Sequence, residues 1–169
     1  MSISMYSASV PVFAHTLGNL SRLLDKALAH AAAKQFDAAV LLGSRLAPDM
    51  LPLARQVQIA CDAAKFAAAR LAGVEAPAMA DEEASIAELK ERIARTITYV
   101  LSVPAARIEG SDAREVQVPM RGRDPLVLSG ESYLTNFVLP NFYFHVTTAY
   151  ALLRHNGVEL GKRDYLGRN

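Results

Sequence analysis

Three polar side chains in the last apolar segment of the sequence have the types and the spacing of a binding site. Asn141, His145 and Thr148 lie at positions i, i+4 and i+7, so on a helix they project from a single face. Aromatic residues flank this polar stripe, and Tyr143 adds a phenol hydroxyl. An imidazole among tyrosine hydroxyls and apolar rings predicts a lined pocket, with His145 at its centre.

Two interpretations of His145 stay open. In the first, His145 is a core histidine that bonds to a neighbour, while Asn141 and Thr148 satisfy it or the nearby backbone. In the second, His145 is a metal ligand, as imidazoles on facing helices of a bundle often are. A metal ion requires further ligands, and the sequence offers few.

The second apolar segment supplies the other two candidate pocket residues. Gln58 and Asp62 are four residues apart and share a helix face, with Arg55 one turn earlier. Their oxygens could complete a metal site on His145. Alternatively, they hydrogen-bond across the bundle beside an Arg55–Asp62 surface pair, which is the interpretation we favour.

Other reactive residue types do not combine into a recognisable catalytic set. Cys61 falls on a core position of its segment and has no evident base, so we interpret it as a small hydrophobic residue. The sequence contains no Ser/His/Asp set, no glycine-rich phosphate loop and no acid pair with hydrolytic spacing. His145 is therefore the residue on which chemistry most plausibly depends.

These candidates require helices to position them, and apolar residues recur at spacings of three and four in four long segments. The first helix begins either near Ser9 with Pro11 in its first turn or near Ser4 with a bend at Pro11. A short connection with an extra helical turn at Asp37–Leu42 leads to a second helix, which Gly73 closes. The third begins after the acidic run Asp81-Glu82-Glu83, and Pro104 ends it.

The third helix has a distinct apolar face, and a different pattern follows it. Its inward residues are Ile86, Leu89, Ile93, Ile97 and Val100, and its outward residues, expected to face water, are Glu88, Glu91, Arg92 and Arg95. Alternating residues at 114–118, a turn at 121–124 and an apolar run at 126–128 then predict a β-hairpin. Ser129 is the expected N-cap of the last helix, which ends at Asn156-Gly157. The fold class is therefore an all-α four-helix bundle with a small β-hairpin between helices three and four.

Composition limits the classes of function. The chain has 169 residues, of which 51% are hydrophobic, and a formal net charge of +1. This composition suits one domain spanning residues 1–169. The neutral balance lacks the basic surface of a nucleic-acid binder, so we expect no nucleic-acid partner. The single cysteine excludes an intrachain disulfide and favours a reducing compartment.

Two uncharged stretches resemble membrane-directed segments but carry too many interruptions. Residues 1–21 lack the basic start of a signal peptide, and residues 132–153 contain asparagines, a proline, a histidine and threonines. We therefore expect no membrane partner and a cytoplasmic location.

Longer motifs make the chain resemble the DinB/YfiT-like superfamily of four-helix bundles, and more closely a bacterial domain-of-unknown-function family beside it. The motifs are Met5-Tyr6-Ser7-Ala8-Ser9-Val10-Pro11, Leu46-Ala47-Pro48-Asp49-Met50, Arg55-Gln56-Val57-Gln58-Ile59-Ala60, Pro140-Asn141-Phe142-Tyr143-Phe144-His145 and Leu153-Arg154-His155-Asn156-Gly157. The closer resemblance covers nearly the whole chain.

The resemblance implies a specific metal arrangement, from which this sequence departs. The superfamily typically holds a divalent metal with one histidine on the second helix and a His-x-x-x-His pair on the last. His145 matches the second histidine of that pair, but Asn141 stands at the first. On the second helix Gln56, Gln58 or Asp62 would have to replace the remaining histidine.

Three functions follow as hypotheses. The first is binding of a small organic molecule without turnover, in a pocket formed by Asn141, Tyr143, His145, Thr148, Gln58 and Asp62. The second is a transferase-type enzyme with a divalent metal, zinc, nickel or manganese, on His145, acting on a thiol-linked group. The third is a structural protein that forms a homodimer through helix faces, as DinB-like proteins often do.

Overall fold

The structure is a computed structural model that describes residues 3–120 and 122–167. Four long helices form its frame: α1 (Val10–Lys34), α2 (Leu53–Ala72), α3 (Ile86–Ser102) and α6 (Leu139–His155). Helix α2 packs against α3 and α6, and α1 packs against the same two helices from the opposite side. The four-helix bundle expected from the apolar spacing is confirmed.

Short elements connect the long helices. A 3₁₀ helix (Ala38–Gly43) precedes α2, and α4 (Ala105–Ile108) follows α3. Strands β1 (Glu115–Val118) and β2 (Leu126–Ser129) pair antiparallel, with Val118 opposite Leu126. This is the expected hairpin, although Arg121 of its predicted turn lies outside the described residues. Helix α7 (Lys162–Leu166) packs against α1 near the end of the chain.

Local chemistry sets the helix ends. Helix α1 begins at Val10 with Pro11 in its first turn, where the missing N–H costs no hydrogen bond, so the first of the two predicted starts is correct. Gly73 ends α2 in the left-handed conformation, as expected. At α3, Ser85 and Glu88 form a reciprocal capping box.

The last long helix is interrupted near its start. Helix α5 (Gly130–Ser132) begins after the predicted N-cap Ser129, whose hydroxyl accepts a hydrogen bond from the Ser132 N–H. A π-helical segment (Tyr133–Val138) then leads into α6. Pro140 has no N–H and its ring crowds the carbonyl four residues earlier, so a regular α-helical ladder cannot run through this point. The wider π-turn lies immediately before the proline.

One contiguous cluster of buried apolar side chains, drawn from all four long helices and from β1, fills the interior, and the partly buried Leu128 of β2 packs against it. Phe13 of α1 and Phe142 of α6 meet edge to face within it, with ring centroids 5.1 Å apart. Within the described residues, no helix combines the length and the hydropathy needed to cross a membrane.

Candidate functional site

A buried imidazole–amide pair joins α6 to α2. His145 and Gln56 are 8% and 1% exposed, and His145 Nδ1 lies 2.7 Å from Gln56 Oε1. From the sequence, Gln56 is a candidate only as a substitute for a missing histidine, because a glutamine in an apolar helix gives no further signal. The hydrogen bond identifies it as the partner of His145.

The orientation of the glutamine amide fixes the tautomer of the imidazole. Gln56 Nε2 donates to the Leu51 carbonyl at 3.0 Å, so its Oε1 is directed toward His145. An amide oxygen accepts and cannot donate, and His145 Nδ1 must therefore carry the hydrogen. Burial lowers the pKa of His145, which favours the neutral ring. The lone pair of this neutral imidazole is consequently on Nε2.

The Nε2 atom of His145 remains accessible. In the described part of the chain, the buried side-chain atoms that lack any hydrogen-bond partner are Arg92 Nε, Tyr99 Oη and Ser111 Oγ. His145 Nε2 also has no hydrogen-bond partner among the described residues, yet it is not one of these sealed atoms, so it retains contact with solvent. The pair thus presents a basic, unpaired nitrogen from an otherwise buried ring.

An exposed aromatic ring lies against the imidazole. The Phe144 ring meets the His145 ring edge to face at 5.2 Å between centroids, and 55% of Phe144 is exposed. The imidazole therefore has exposed aromatic surface beside it.

Two other members of the predicted stripe lie near His145 along α6 but do not bond to it. Asn141, one turn earlier, is exposed to solvent. Thr148 is 7% exposed, and its hydroxyl donates to the Phe144 carbonyl at 2.7 Å. Because the Thr148 hydroxyl bonds a carbonyl of its own helix, His145 finds its hydrogen-bond partner on α2 and not among the other polar residues of α6.

Tyr143 lies on a different side of α6. Residues two positions apart on a helix point about 200° from each other, so Tyr143 and His145 do not share a face. Tyr143 borders a cleft with His15 of α1 and Tyr165 of α7. The structure therefore does not bring Tyr143 into a pocket with His145.

Gln58 and Asp62 also face away from His145, toward α3. Gln58 Nε2 donates to Glu83 at 2.7 Å, and Asp62 Oδ1 accepts from Arg92 Nη2 at 3.0 Å. Gln58 and Asp62 share a face, as expected, but Gln56, two residues before Gln58, occupies the face that contacts α6. Including Gln58 and Asp62 in the His145 pocket was a misassignment of that face.

Arg92 is the centre of this second polar group, and its predicted exposure to water is wrong. Only 1% of Arg92 is exposed, and its guanidinium pairs with Asp62, Asp81 and Glu83 at 2.9 to 3.0 Å. Lys65, 3% exposed, adds a second cation on Asp62 at 2.9 Å. Arg55 bonds to Gln58 and Asp81, so the expected Arg55–Asp62 pair is not formed.

The ion pairs control the protonation of the acidic partners. Burial raises the pKa of Glu83, but hydrogen bonds from Arg92 and Gln58 outweigh this effect, and the net pKa is lowered. The pKa of Asp81 is lowered for the same reason, with Arg55 and Arg92 opposing the effect of burial. These carboxylates tie the segment before α3 to the bundle, so we assign this group a structural role.

The donor set around His145 does not fit a resident divalent metal ion. Across residues 3–120 and 122–167, no three His, Cys, Asp or Glu side chains lie close enough to hold one. The groups next to His145 are an amide engaged through its oxygen and a hydroxyl engaged with its own helix. The arrangement implied by the superfamily resemblance lacks its remaining ligands here.

Cys61 occupies the core position predicted for it. Its side chain is fully buried, and burial raises the pKa of the thiol to about 12. A thiol that stays protonated at neutral pH is a poor nucleophile. Cys61 therefore contributes packing.

Comparison with known proteins supports the bundle assignment. The family model "Domain of unknown function (DUF1993)" matches residues 5–166. The crystal structure of a DinB family member protein from Shewanella denitrificans is 46% identical, with a TM-score of 0.87, covering 96% of this chain and 91% of that one. A search of curated proteins found no match.

Proposed function

Since the chain belongs to the DinB-like family of domains of unknown function, DUF1993, and its donor set does not fit a metal, we propose that it binds a small organic molecule at His145 without a metal ion. The observation that carries this proposal is the hydrogen-bond chain from Leu51 through Gln56 to His145. That chain leaves Nε2 unprotonated and accessible.

The chemistry of the site defines the class of ligand. A neutral imidazole nitrogen accepts a hydrogen bond, so the ligand carries an O–H or N–H donor. The exposed Phe144 ring beside the imidazole favours an apolar or aromatic body on that donor. An uncharged amphipathic molecule, such as a substituted phenol or alcohol, meets both requirements.

Burial makes the hydrogen bond selective. Because His145 Nε2 is nearly buried, it is already poorly hydrated, and its desolvation on binding costs little free energy. A ligand without a hydrogen-bond donor would leave this acceptor unpaired. The site should therefore discriminate between molecules of the same shape that differ only in the donor. This property distinguishes a binding site from a histidine that serves packing alone.

The experiment uses two probes that match except for the donor. 4-Ethylphenol carries an O–H, and 4-ethylanisole replaces that hydrogen with a methyl group. We expect 4-ethylphenol to shift the imidazole ¹⁵N resonance of His145 Nε2 in NMR titrations. The anisole should bind about three- to tenfold more weakly, which is the value of one net hydrogen bond.

Two variants control the titration. His145→Leu should abolish the preference for the phenol, whereas His155→Leu, which changes an exposed histidine at the end of α6, should preserve it. Equal binding of both probes, or unchanged His145 resonances at millimolar phenol, contradicts the proposal. Sedimentation of the same samples tests the homodimer hypothesis, since a dimer covering Phe144 would block the site.

Metal analysis addresses the enzyme hypothesis separately. Wild type and His145→Leu, both purified without chelator, are compared by mass spectrometry after incubation with zinc, nickel or manganese. A near-stoichiometric metal that the variant loses would replace the present proposal with the metal-dependent transferase hypothesis. Low metal content in both proteins supports binding without metal.

A further inference from the structure

A second concavity lies between α1, α6 and α7, on the side of the bundle to which Tyr143 belongs. Its volume is about 380 Å³. Its lining residues are Pro11, Val12, His15, Thr16, Asn19, Tyr143, Tyr165 and Leu166, and none of them is Lys, Arg, Asp or Glu. Among the described residues, the lining of this cleft therefore holds no charged side chain that would compensate a charged ligand.

Several polar groups in this cleft are not used by the protein. Thr16 is 7% exposed, its hydroxyl has no hydrogen-bond partner, and it is not one of the sealed unpaired atoms in the described residues. His15 Nε2 lies 3.2 Å from the Leu166 carbonyl and 3.2 Å from Asn19 Nδ2, whereas His15 Nδ1 has no partner among the described residues. The cleft therefore offers a hydroxyl and an unused imidazole nitrogen to a ligand.

Tyr143 supplies a donor and an aromatic wall. Burial, with a smaller effect of Tyr165, raises the pKa of Tyr143, so its hydroxyl stays protonated at neutral pH. Tyr165 is held in place by Thr147, whose hydroxyl lies 3.1 Å from Tyr165 Oη, and by an edge-to-face contact with Tyr150. Two tyrosine rings thus border the cleft, and Tyr165 is the one that contacts within the protein hold in place.

The wall formed by α7 is anchored in advance of any ligand. Asn19 Nδ2 donates to the Tyr165 carbonyl at 2.9 Å, and Lys26 pairs with Asp164 at 2.6 Å. Asn19 of α1 therefore bonds a carbonyl at the end of α7 that the short helix cannot satisfy itself, and Lys26 holds α7 through a carboxylate. A preorganised wall reduces the ordering cost of binding.

From these observations we infer that the cleft between α1, α6 and α7 binds an uncharged planar heteroaromatic molecule through Thr16, Tyr143 and His15. The tyrosine rings favour a flat aromatic body. The hydroxyls of Thr16 and Tyr143 and the unused Nδ1 atom of His15 suit a ring that carries both a donor and an acceptor on its edge. This site is independent of His145, which lies on another face of α6.

The test uses benzimidazole, which is flat, neutral at pH 7.5 and carries one donor and one acceptor. Benzimidazole-5-carboxylate is the matched anionic probe. We expect benzimidazole to shift the backbone amide resonances of 12–19, 143 and 162–167, and the carboxylate to bind at least about tenfold more weakly. Thr16→Val and Tyr143→Phe should each weaken benzimidazole binding about three- to tenfold.

Matched substitutions on α3 test whether removal of a hydroxyl away from the cleft also changes benzimidazole binding. Thr98→Val and Tyr99→Phe change the same residue types on α3, away from the cleft, and should leave benzimidazole binding unchanged. His145→Leu should also leave it unchanged, which separates this site from the one proposed above. Resonance shifts confined to other regions, equal binding of the anion, or full affinity in a folded Thr16→Val overturns the inference.

Discussion

Arg92 of α3 donates to Asp62 of α2 at 3.0 Å although only 1% of the arginine is exposed. The same guanidinium reaches Glu83 and the Ala80 carbonyl in the segment before α3. A buried cation that bonds to several acceptors is costly to remove, because its partners then lose their compensation. This arginine therefore holds together two helices and a loop.

Arg92→Met should destabilise the protein substantially. A buried ion pair broken on one side typically costs about 3 kcal/mol, and the partial exposure of Asp62 and Asp81 places the value toward the lower end. Arg95→Met changes an exposed arginine of the same helix and should shift stability by less than about 0.5 kcal/mol. Urea unfolding of both variants measures the difference, and equal stability would contradict the structural role of Arg92.

Acid should destabilise the wild type more than Arg92→Met. The pKa values of Asp81 and Glu83 are lower in the folded protein than in the unfolded chain, so the unfolded state binds more protons in acid. Their stabilisation is complete above the ordinary carboxyl values of about 4 and is lost as the pH falls through the lowered values. As the pH falls from 7 to 3, the unfolding free energies of the wild type and Arg92→Met should therefore converge. A constant difference between them over this range would contradict the linkage.

The frame could be predicted from the sequence because apolar spacing records which face of each helix is buried. The hairpin, the Gly73 stop and the Ser129 cap followed from equally local signals. Arg92 could not be assigned in this way, since it lies beside the apolar face of α3 and its counter-charges come from elsewhere in the chain. From sequence alone, Asp81 and Glu83 are explained by their favourable position at a helix N-terminus, so nothing identifies them as partners of Arg92.

The candidate site could be predicted only in part, because one of its two residues depends on contacts between helices. His145 was identified from its own segment, whereas Gln56 required knowledge of how α2 turns toward α6. Gln56 and Gln58 are both buried, so burial alone does not distinguish them. Only the packing of two helices decides which glutamine meets the histidine.

Gln56→Glu should raise the pKa of His145. In the wild type burial lowers this pKa, so we expect a titration midpoint below the ordinary value of about 6.5. A carboxylate at the position of the amide would favour the imidazolium and move the midpoint upward. Gln58→Glu is the control, because Gln58 bonds to Glu83 and Arg55 and should leave the midpoint unchanged. Imidazole ¹⁵N shifts against pH give both values.

Cys61 should resist thiol reagents in the folded protein. Its pKa near 12 and its complete burial leave almost no accessible thiolate at pH 8. Alkylation by iodoacetamide should therefore proceed only through unfolding, and added urea should accelerate it in proportion to the unfolded fraction. Rapid alkylation without urea would show that the packing around Cys61 opens independently of global unfolding.

Gly167→Ala should loosen α7 from α1. Gly167 ends α7 with φ +67°, and a Cβ there would collide with Asn19 Oδ1. Asn19 also bonds the Tyr165 carbonyl, so displacing it should weaken the anchor of the whole segment. We expect faster amide hydrogen exchange in 162–166 and a loss of at least about 1 kcal/mol in unfolding free energy.

The control for this substitution separates backbone strain from the collision. Gly110 also has positive φ, at +74°, but a Cβ there meets nothing within 4 Å. Gly110→Ala therefore carries the strain alone and should leave exchange in 162–166 unaltered. If both alanine variants lose the same unfolding free energy, the left-handed backbone alone accounts for the loss, and the collision with Asn19 contributes nothing.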